Sequence, residues 1–261
     1  MPSPIELIFN PLSYTFFAIY AGLMLLEALF PARKMPASPF WLLRGIVAFC
    51  LYFMISNYLP LIVDGYIARY QLIDASQLPL WAAVPIGLLV FETGLYFWHR
   101  GMHSSATLWR VFHQMHHSAE RIDTAGAFWF SPMDMVAFTL LVSLSFNLII
   151  GLPVEAVVMI LQITFFLAIF QHMNIKTPRW VGYLVQRPES HHVHHGKGIH
   201  YYNFADLPVL DMLFGTFRNP RSYQYENGYY EGGSMRIVDM LLFRDINPPK
   251  VSLQSTEESR V

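Results

Sequence analysis

Long apolar stretches dominate the chain and predict its helices. Three runs of about 20 residues, the length that an α-helix needs to cross a bilayer, hold at most one charged side chain each. They are Pro11–Phe30, Gly45–Val63 and Leu78–Trp98. A longer run over 135–170 contains the turn signal Gly151-Leu152-Pro153 and predicts a hairpin of two shorter helices, Met135–Ile150 and Val154–Gln171. Because both members of the hairpin are slightly short, we expect four or five membrane crossings.

The composition also favours a membrane protein. Of the 261 residues, 54% are hydrophobic and only 13% are charged, against about 25% charged in soluble domains. This argues against soluble, disordered and disulfide-rich secreted proteins. A buried hairpin of a soluble core is the alternative for residues 135–170. The 17 basic and 18 acidic residues nearly balance, so nothing indicates a nucleic-acid partner.

The basic residues predict the orientation in the membrane. With five crossings, 16 of the 17 lysines and arginines fall on one side, and only Arg69 falls on the other. Because cytoplasmic loops carry an excess of basic residues, residues 99–134 and 172–261 are expected on the cytoplasmic side and the N-terminus outside. A bacterial inner membrane and the endoplasmic reticulum both fit this orientation.

The histidines are the candidate chemistry. All 11 lie between His99 and His200, on the predicted cytoplasmic side. His99 and His103 are one helical turn apart, and the motif H-x-x-H-H occurs at 113–117 and again at 191–195. Such spacings place side chains on one helix face, so each motif is expected to direct several imidazoles to one point. His172 stands at the end of the last apolar run.

These imidazoles are too many for one metal ion, so two ions are expected. Imidazole suits zinc, copper, iron and nickel, and the pattern alone does not choose among them. The fold class that follows is an all-α integral membrane protein with four to five transmembrane helices and a cytoplasmic histidine-rich helical cap. We divide it into N-terminal transmembrane helices (1–80), a histidine-box catalytic domain that includes transmembrane helices (81–218) and a C-terminal cytoplasmic extension (219–261).

The motifs and the residues around them resemble the fatty acid hydroxylase/sterol desaturase superfamily over about residues 85–218. The three boxes carry the resemblance together with Tyr96-Phe97-Trp98-His99-Arg100, His116-His117-Ser118, Asn203 and Asp211-Met212-Leu213-Phe214-Gly215-Thr216. The chain departs from the family pattern at Ser131, Ala205 and Leu210, where His, Gly and Trp are common in relatives. These departures touch neighbours of the boxes and bear on the subfamily.

The resemblance implies a non-haem di-iron site that uses O2 and two electrons on a lipid C–H bond. Zinc is expected to substitute for iron in purified protein. The chain has no dinucleotide fingerprint, CxxC or haem-attachment motif. An external electron donor, a cytochrome b5-like protein or a ferredoxin system, is therefore implied. The expected metal ligands are His99, His103, His113, His116, His117, His172, His191, His194 and His195.

Within the third box, helical phase alone does not separate His192 from His194. The second box has only the i, i+3, i+4 form, so by analogy His192 is expected beside the ligands, as a hydrogen-bonding or exposed neighbour, and His200 outside every box. Glu92, two turns before His99, is expected to accept a hydrogen bond from a histidine ring, with a helix-packing hydrogen bond as the alternative.

Asp211 is expected either to accept such a bond, to cap a helix or to lie at the surface. The aromatic triplet Phe128-Trp129-Phe130 is expected to line the substrate channel or to anchor the protein at the membrane interface.

Three functions remain open at this point. Lipid hydroxylation is the leading one, and desaturation or sterol oxidation uses the same boxes. A metal transporter or sensor would need polar residues along a path through the membrane, but only Glu27, Glu92 and Glu155 interrupt the spans. Acyl chains, sterols, alkylglycerols, carotenoids and aminolipids all remain candidate substrates.

Overall fold

Five long helices form the body of the protein in the computed structural model, which describes residues 1–247. They are α1 (Pro11–Leu29), α2 (Trp41–Ile67), α3 (Leu80–Ser104), α4 (Pro132–Ser143) and α5 (Val154–Phe170). A π-helical segment, Leu144–Ile149, extends α4. Four of these helices are long and apolar enough to span a membrane, and α5 is a shorter apolar helix. The predicted all-α membrane fold is confirmed. Residues 248–261 of the predicted C-terminal extension lie outside the described residues.

Local sequence signals fix where two of the long helices begin. Asn10 precedes α1, accepts a hydrogen bond from the Leu12 amide at 2.9 Å, and is followed by Pro11. Ser131 does the same for α4, accepting from the Asp134 amide at 3.1 Å. A side-chain acceptor before the first turn and a proline within it are favoured at helix N-termini.

Short elements connect the long helices. The helical ones are Pro4–Ile8, Ala68–Tyr70, Ala106–Leu108, Trp109–His113, Gln114–His117, Thr124–Gly126, Arg179–Tyr183, Pro188–His194, Val209–Leu213, Gly233–Met235 and Ile237–Leu241. Two short strands, β1 (Ile73–Asp74) and β2 (Ile150–Gly151), pair in parallel with Ile73 opposite Ile150. They tie the α2–α3 connection to the α4–α5 turn at one end of the bundle.

The opposite end of the bundle carries a cap made of residues 105–131 and 171–247. The last turn of α1 meets it through Glu27, whose Oε2 accepts from the backbone amides of Thr124 and Asn174 at 2.9 Å each. The first residue of α2, Trp41, donates from its indole nitrogen to Asp123 at 2.8 Å. The cap is thereby fixed to the ends of α1 and α2.

Glycines allow the helices to pack closely. A Cβ atom at Gly87 of α3 would collide with the side chains of Ile160 and Leu152, and one at Gly45 of α2 would collide with the Ala125 carbonyl. Small residues at such crossings are typical of packed membrane helices. The close approach brings α3 and α5 together below the cap.

Candidate metal centre

Nine histidines gather in two clusters where the bundle meets the cap. Within each cluster one nitrogen from every ring lies within 4.8 Å of the others. The first cluster, hereafter cluster A, comprises His99, His103, His113, His117 and His194. The second, cluster B, comprises His116, His172, His191 and His195. All nine histidines expected as ligands thus belong to one of the two clusters.

The three histidines of each H-x-x-H-H box do not converge on a single cluster, contrary to the expectation from helical spacing. In the second box His113 and His117 face cluster A while His116 faces cluster B. In the third box His194 faces cluster A, and His191 and His195 face cluster B. The reason is geometric: i and i+4 project together, but the residue at i+3 lies on the far flank of the same stripe. A π-helical segment ending at His113 also shifts the helical phase before the second box.

Hydrogen bonds to the outer ring nitrogens set the tautomers of three of the five histidines of cluster A. His99 Nδ1 lies 2.7 Å from the Phe204 carbonyl, and His194 Nδ1 lies 2.7 Å from the Tyr202 carbonyl. A carbonyl oxygen only accepts, so both Nδ1 atoms carry the proton and both Nε2 atoms present a lone pair. His113 Nδ1 lies 2.8 Å from the Asp134 carboxylate, which fixes the same tautomer.

Inner nitrogens lie close together in both clusters, and in cluster A two of them face each other with lone pairs. His99 Nε2 and His113 Nε2 are 2.9 Å apart in cluster A. In cluster B the Ala168 carbonyl holds His172 Nδ1 at 2.6 Å, and His172 Nε2 lies 3.1 Å from the Nε2 of His116 and 3.0 Å from that of His191. The lone pairs of His99 and His113 repel each other at this distance, and a cation that both can coordinate removes the repulsion. The arrangement therefore fits bound metal ions.

Burial keeps these rings neutral. Desolvation lowers the pKa of His172 to about 4. It also lowers the pKa values of His113, His116 and His195 well below the usual range, and neighbouring imidazoles lower them further. Metal ligands must be deprotonated, so the rings are in the form that binds a metal at neutral pH. All-imidazole donor sets suit iron, zinc, copper and nickel and leave calcium and magnesium unfavoured.

Asp134 is a residue that the sequence reasoning missed. It lies fully buried in the first turn of α4, 21 positions after the histidine it contacts. A carboxylate that accepts the outer N–H of a ligating histidine orients the ring and raises its basicity. The Ser-Pro-x-Asp pattern marks a helix start, and nothing in that pattern indicates that the carboxylate turns toward a histidine.

Glu92 and Asp211 are buried, but their hydrogen bonds differ from those expected. Glu92 Oε2 accepts from the backbone amides of Asp206 and Leu207 at 3.0 Å each, and Asp211 accepts from the amides of Phe204 and Ala205 at 2.9 and 3.0 Å. Neither carboxylate is hydrogen-bonded to a histidine within residues 1–247. The loop 203–207 presents several buried amides that need acceptors, and both acids satisfy them. Asp211 therefore holds the loop whose carbonyl orients His99.

His192 and His200 both lie next to the clusters. His192 is buried, not exposed: its Nε2 donates to the Tyr225 carbonyl at 2.8 Å, and its Nδ1 accepts from Arg33 at 3.2 Å. It faces away from cluster B, as expected of a neighbour. His200 lies outside the boxes in the sequence, and its Nδ1 lies 3.1 Å from Nδ1 of His117. Helical spacing did not predict this contact.

A largely apolar cavity of about 630 Å³ extends from the clusters along the inside of the bundle. Phe128 and Phe130 line it, as does His99 at the cluster end. Trp129 does not, contrary to the expectation for the aromatic triplet. Its ring lies on the other side of this short non-helical segment, where it packs 5.7 Å from the Trp41 ring and its Nε1 donates to Ser118. Phe128 and Trp129 are buried and Phe130 is half-buried, so the triplet does not form an interfacial anchor.

Comparisons with known proteins indicate the family of the chain. A family model for fatty acid hydroxylases matches residues 84–216, just over half of the chain. An ornithine lipid hydroxylase, OlsE of Rhizobium tropici, is 31% identical over 148 residues, which are 55% of this chain and 44% of that relative. The match thus spans less than half of the relative's length. No solved structure gives a significant match. The chain belongs to the fatty acid hydroxylase family.

Proposed function

We propose that this protein is an iron- and O2-dependent membrane hydroxylase that acts on a C–H bond of a lipid. The observation that carries the proposal is the pair of neutral imidazole clusters, with converging ring nitrogens, at the end of an apolar cavity inside a membrane bundle. The family and the lipid hydroxylase relative support the lipid substrate and the reaction type.

Iron bound by the nine histidines supplies the redox chemistry that an unactivated C–H bond requires, which redox-inert zinc does not. In the overall reaction one atom of O2 becomes the hydroxyl oxygen and the other becomes water. The reaction consumes two electrons and two protons. The electrons come from a separate donor, a cytochrome b5-like protein or a ferredoxin system.

The protein's own groups hold the site rigid. The Asp134 carboxylate and the carbonyls of Phe204, Tyr202 and Ala168 fix ring orientations from outside the clusters. In these four rings the outer hydrogen bond also keeps the nitrogen that points inward free of its proton. The site therefore needs little rearrangement when a metal binds.

The cavity positions the lipid and excludes water. Its wall along α5 extends from Val154 to Ala168, which is about 21 Å at 1.5 Å per residue. Apolar side chains such as Phe91, Phe146 and Leu161 form most of this wall. A hydrocarbon chain lying there reaches the clusters without crossing water. We further propose that the clusters face the cytoplasm, as the basic residues predict.

The direct test compares lipid extracts by mass spectrometry. Cells expressing the protein should contain a lipid species with one additional oxygen atom. Cells expressing a His116→Ala/His191→Ala variant at the same level should lack it, because cluster B then loses two of its four imidazoles. Identical extracts from both strains would contradict the proposal, and a loss of two hydrogens in place of the added oxygen would favour desaturation.

A further inference from the structure

The charged groups on the cavity wall are all acidic. Of the described residues that line the cavity, only Asp64 and Asp206 carry a charge, and no lysine or arginine is among them. Asp64 belongs to the last turns of α2, at the end of the bundle away from the cap. Asp206 belongs to the cap and lines the cavity together with His99, His172 and His191. A wall without a basic group gives no partner for a carboxylate or phosphate.

Asp206 is buried, and one of its oxygens has no partner. Only 7% of the residue is exposed. Gln171 Nε2 donates to Oδ1 at 2.7 Å, and within residues 1–247 no donor is hydrogen-bonded to Oδ2. Burying a carboxylate that keeps a single donor is costly. Since the residue lines the cavity, a ligand there can supply the missing donor.

A second buried acid adjoins Asp206. Glu92 lies directly behind Asp206, with its Oε2 accepting the Asp206 amide at 3.0 Å. Burial raises the pKa of Asp206 to about 7. A cationic group in contact with the carboxyl would lower that pKa again and hold the group ionised. An uncharged or anionic ligand does not stabilise the ionised carboxylate of Asp206 in this way.

We propose that Asp206 binds the ammonium group of an amine-bearing lipid, and that this contact selects the substrate and sets the carbon that is hydroxylated. The inference rests on the proposed function and specifies its substrate class. Because Gln171 precedes His172 and the Phe204 carbonyl holds His99, the ammonium group lies beside the clusters. The C–H bonds near the amine are then closest to the metal site, and the hydrocarbon chain extends along the cavity toward α2.

The test uses two synthetic single-chain lipids that differ only in the headgroup, a primary amine in one and its N-acetyl derivative in the other. Iron-loaded protein in vesicles receives both lipids in equal amounts together with an electron donor. The unaltered protein should hydroxylate the amine at least about tenfold faster than the N-acetyl derivative. Tenfold is about the lower limit of the effect expected for a hydrogen bond to a charged group. The hydroxyl group should lie near the amine.

Variants locate the contact. Asp206→Asn should abolish the preference while metal content stays at the parent level, and Asp206→Glu should retain part of it. Glu155→Gln, which removes an exposed acid outside the cavity lining, should keep the full preference. Loss of the preference in Asp64→Asn, with Asp206→Asn unaffected, would overturn the proposal, since the headgroup would then bind at the other end. Equal slowing of both lipids by Asp206→Asn would also overturn it.

A binding measurement separates this proposal from the proposed function. In native mass spectrometry, the detergent-solubilised protein should retain more of the amine lipid than of its N-acetyl derivative. The Asp206→Asn variant should retain both lipids equally. If both lipids bind and react equally, the amine proposal is wrong while the hydroxylase stands. If neither lipid nor any lipid of a cell extract is hydroxylated, the proposed function is wrong, and the binding comparison still decides the role of Asp206.

Discussion

The contact between Asp134 and His113 allows a quantitative prediction about cluster A. The carboxylate and the ring nitrogen are 2.8 Å apart, and their side chains are 0% and 1% exposed. Asp134→Asn keeps an acceptor of similar shape but removes the charge. Losing such a carboxylate partner costs about 10- to 100-fold in metal affinity. A hydrogen bond to a charged group contributes about 1.5–3 kcal/mol, which corresponds to a similar fold-change in affinity.

The assay is metal content after dialysis against a graded series of chelator concentrations. Asp134→Asn should release one metal ion at a chelator concentration about 10- to 100-fold lower than the parent requires. The second ion should be retained as in the parent, because cluster B does not contact Asp134. Asp239→Asn, which removes an acid on the cap surface that pairs with Arg236 and Arg244, is the matched control. Parent-like retention of both ions in Asp134→Asn, or release of both together, would refute the reasoning.

Three further predictions follow from the same geometry. His192→Ala should keep both metal ions, because this ring faces the Tyr225 carbonyl. Alanine at any cluster histidine of the third box should release at least one ion. Elemental analysis of the purified variants measures the metal content. A second prediction uses a Cys50→Ser background and an impermeant thiol reagent. A cysteine introduced at Ser104 should react only from the cytoplasmic side, and one at Tyr70 only from the opposite side. Labelling of both cysteines from one side would contradict the topology. The metal-free protein should lose thermal stability as the pH falls from about 6.5 to about 4, because the unfolded chain binds protons in this range that His172, with its pKa of about 4, does not bind when folded. The expected loss from this ring alone is about 1.4 kcal/mol per pH unit, and an unchanging melting temperature would contradict it.

Patterns that repeat along the sequence predicted the fold well. Unbroken apolar runs indicated the membrane helices to within a few residues at most ends, and Gly151-Leu152-Pro153 indicated the turn between α4 and α5. The N-terminal end of α2 is an exception, because it begins at Trp41. The basic residue Arg44 falls before the apolar run that begins at Gly45, yet it lies within the helix, where it contacts Ser38 and Ser234.

The groups around the clusters were harder to predict, because long-range contacts place them. Helical spacing showed that the histidines share helix faces, but the division of each box between two clusters depends on how three segments meet. Asp134 contacts a histidine 21 positions away, and Asp206 contacts Gln171 across 35 positions. Glu92 was singled out correctly as a buried acid, yet its partners are backbone amides of a distant loop. Only the folded chain brings such groups together.

The central claim, iron-dependent insertion of oxygen into a lipid, is tested most directly with isotopically labelled dioxygen. Protein purified anaerobically under iron-replete conditions should hold about two iron ions per chain, one for each cluster. In vesicles with an electron donor, it should form a lipid product that carries one labelled oxygen atom. The same protein loaded only with zinc should form none. Equal product from the zinc-loaded protein, or a product oxygen that derives from water, would contradict the account.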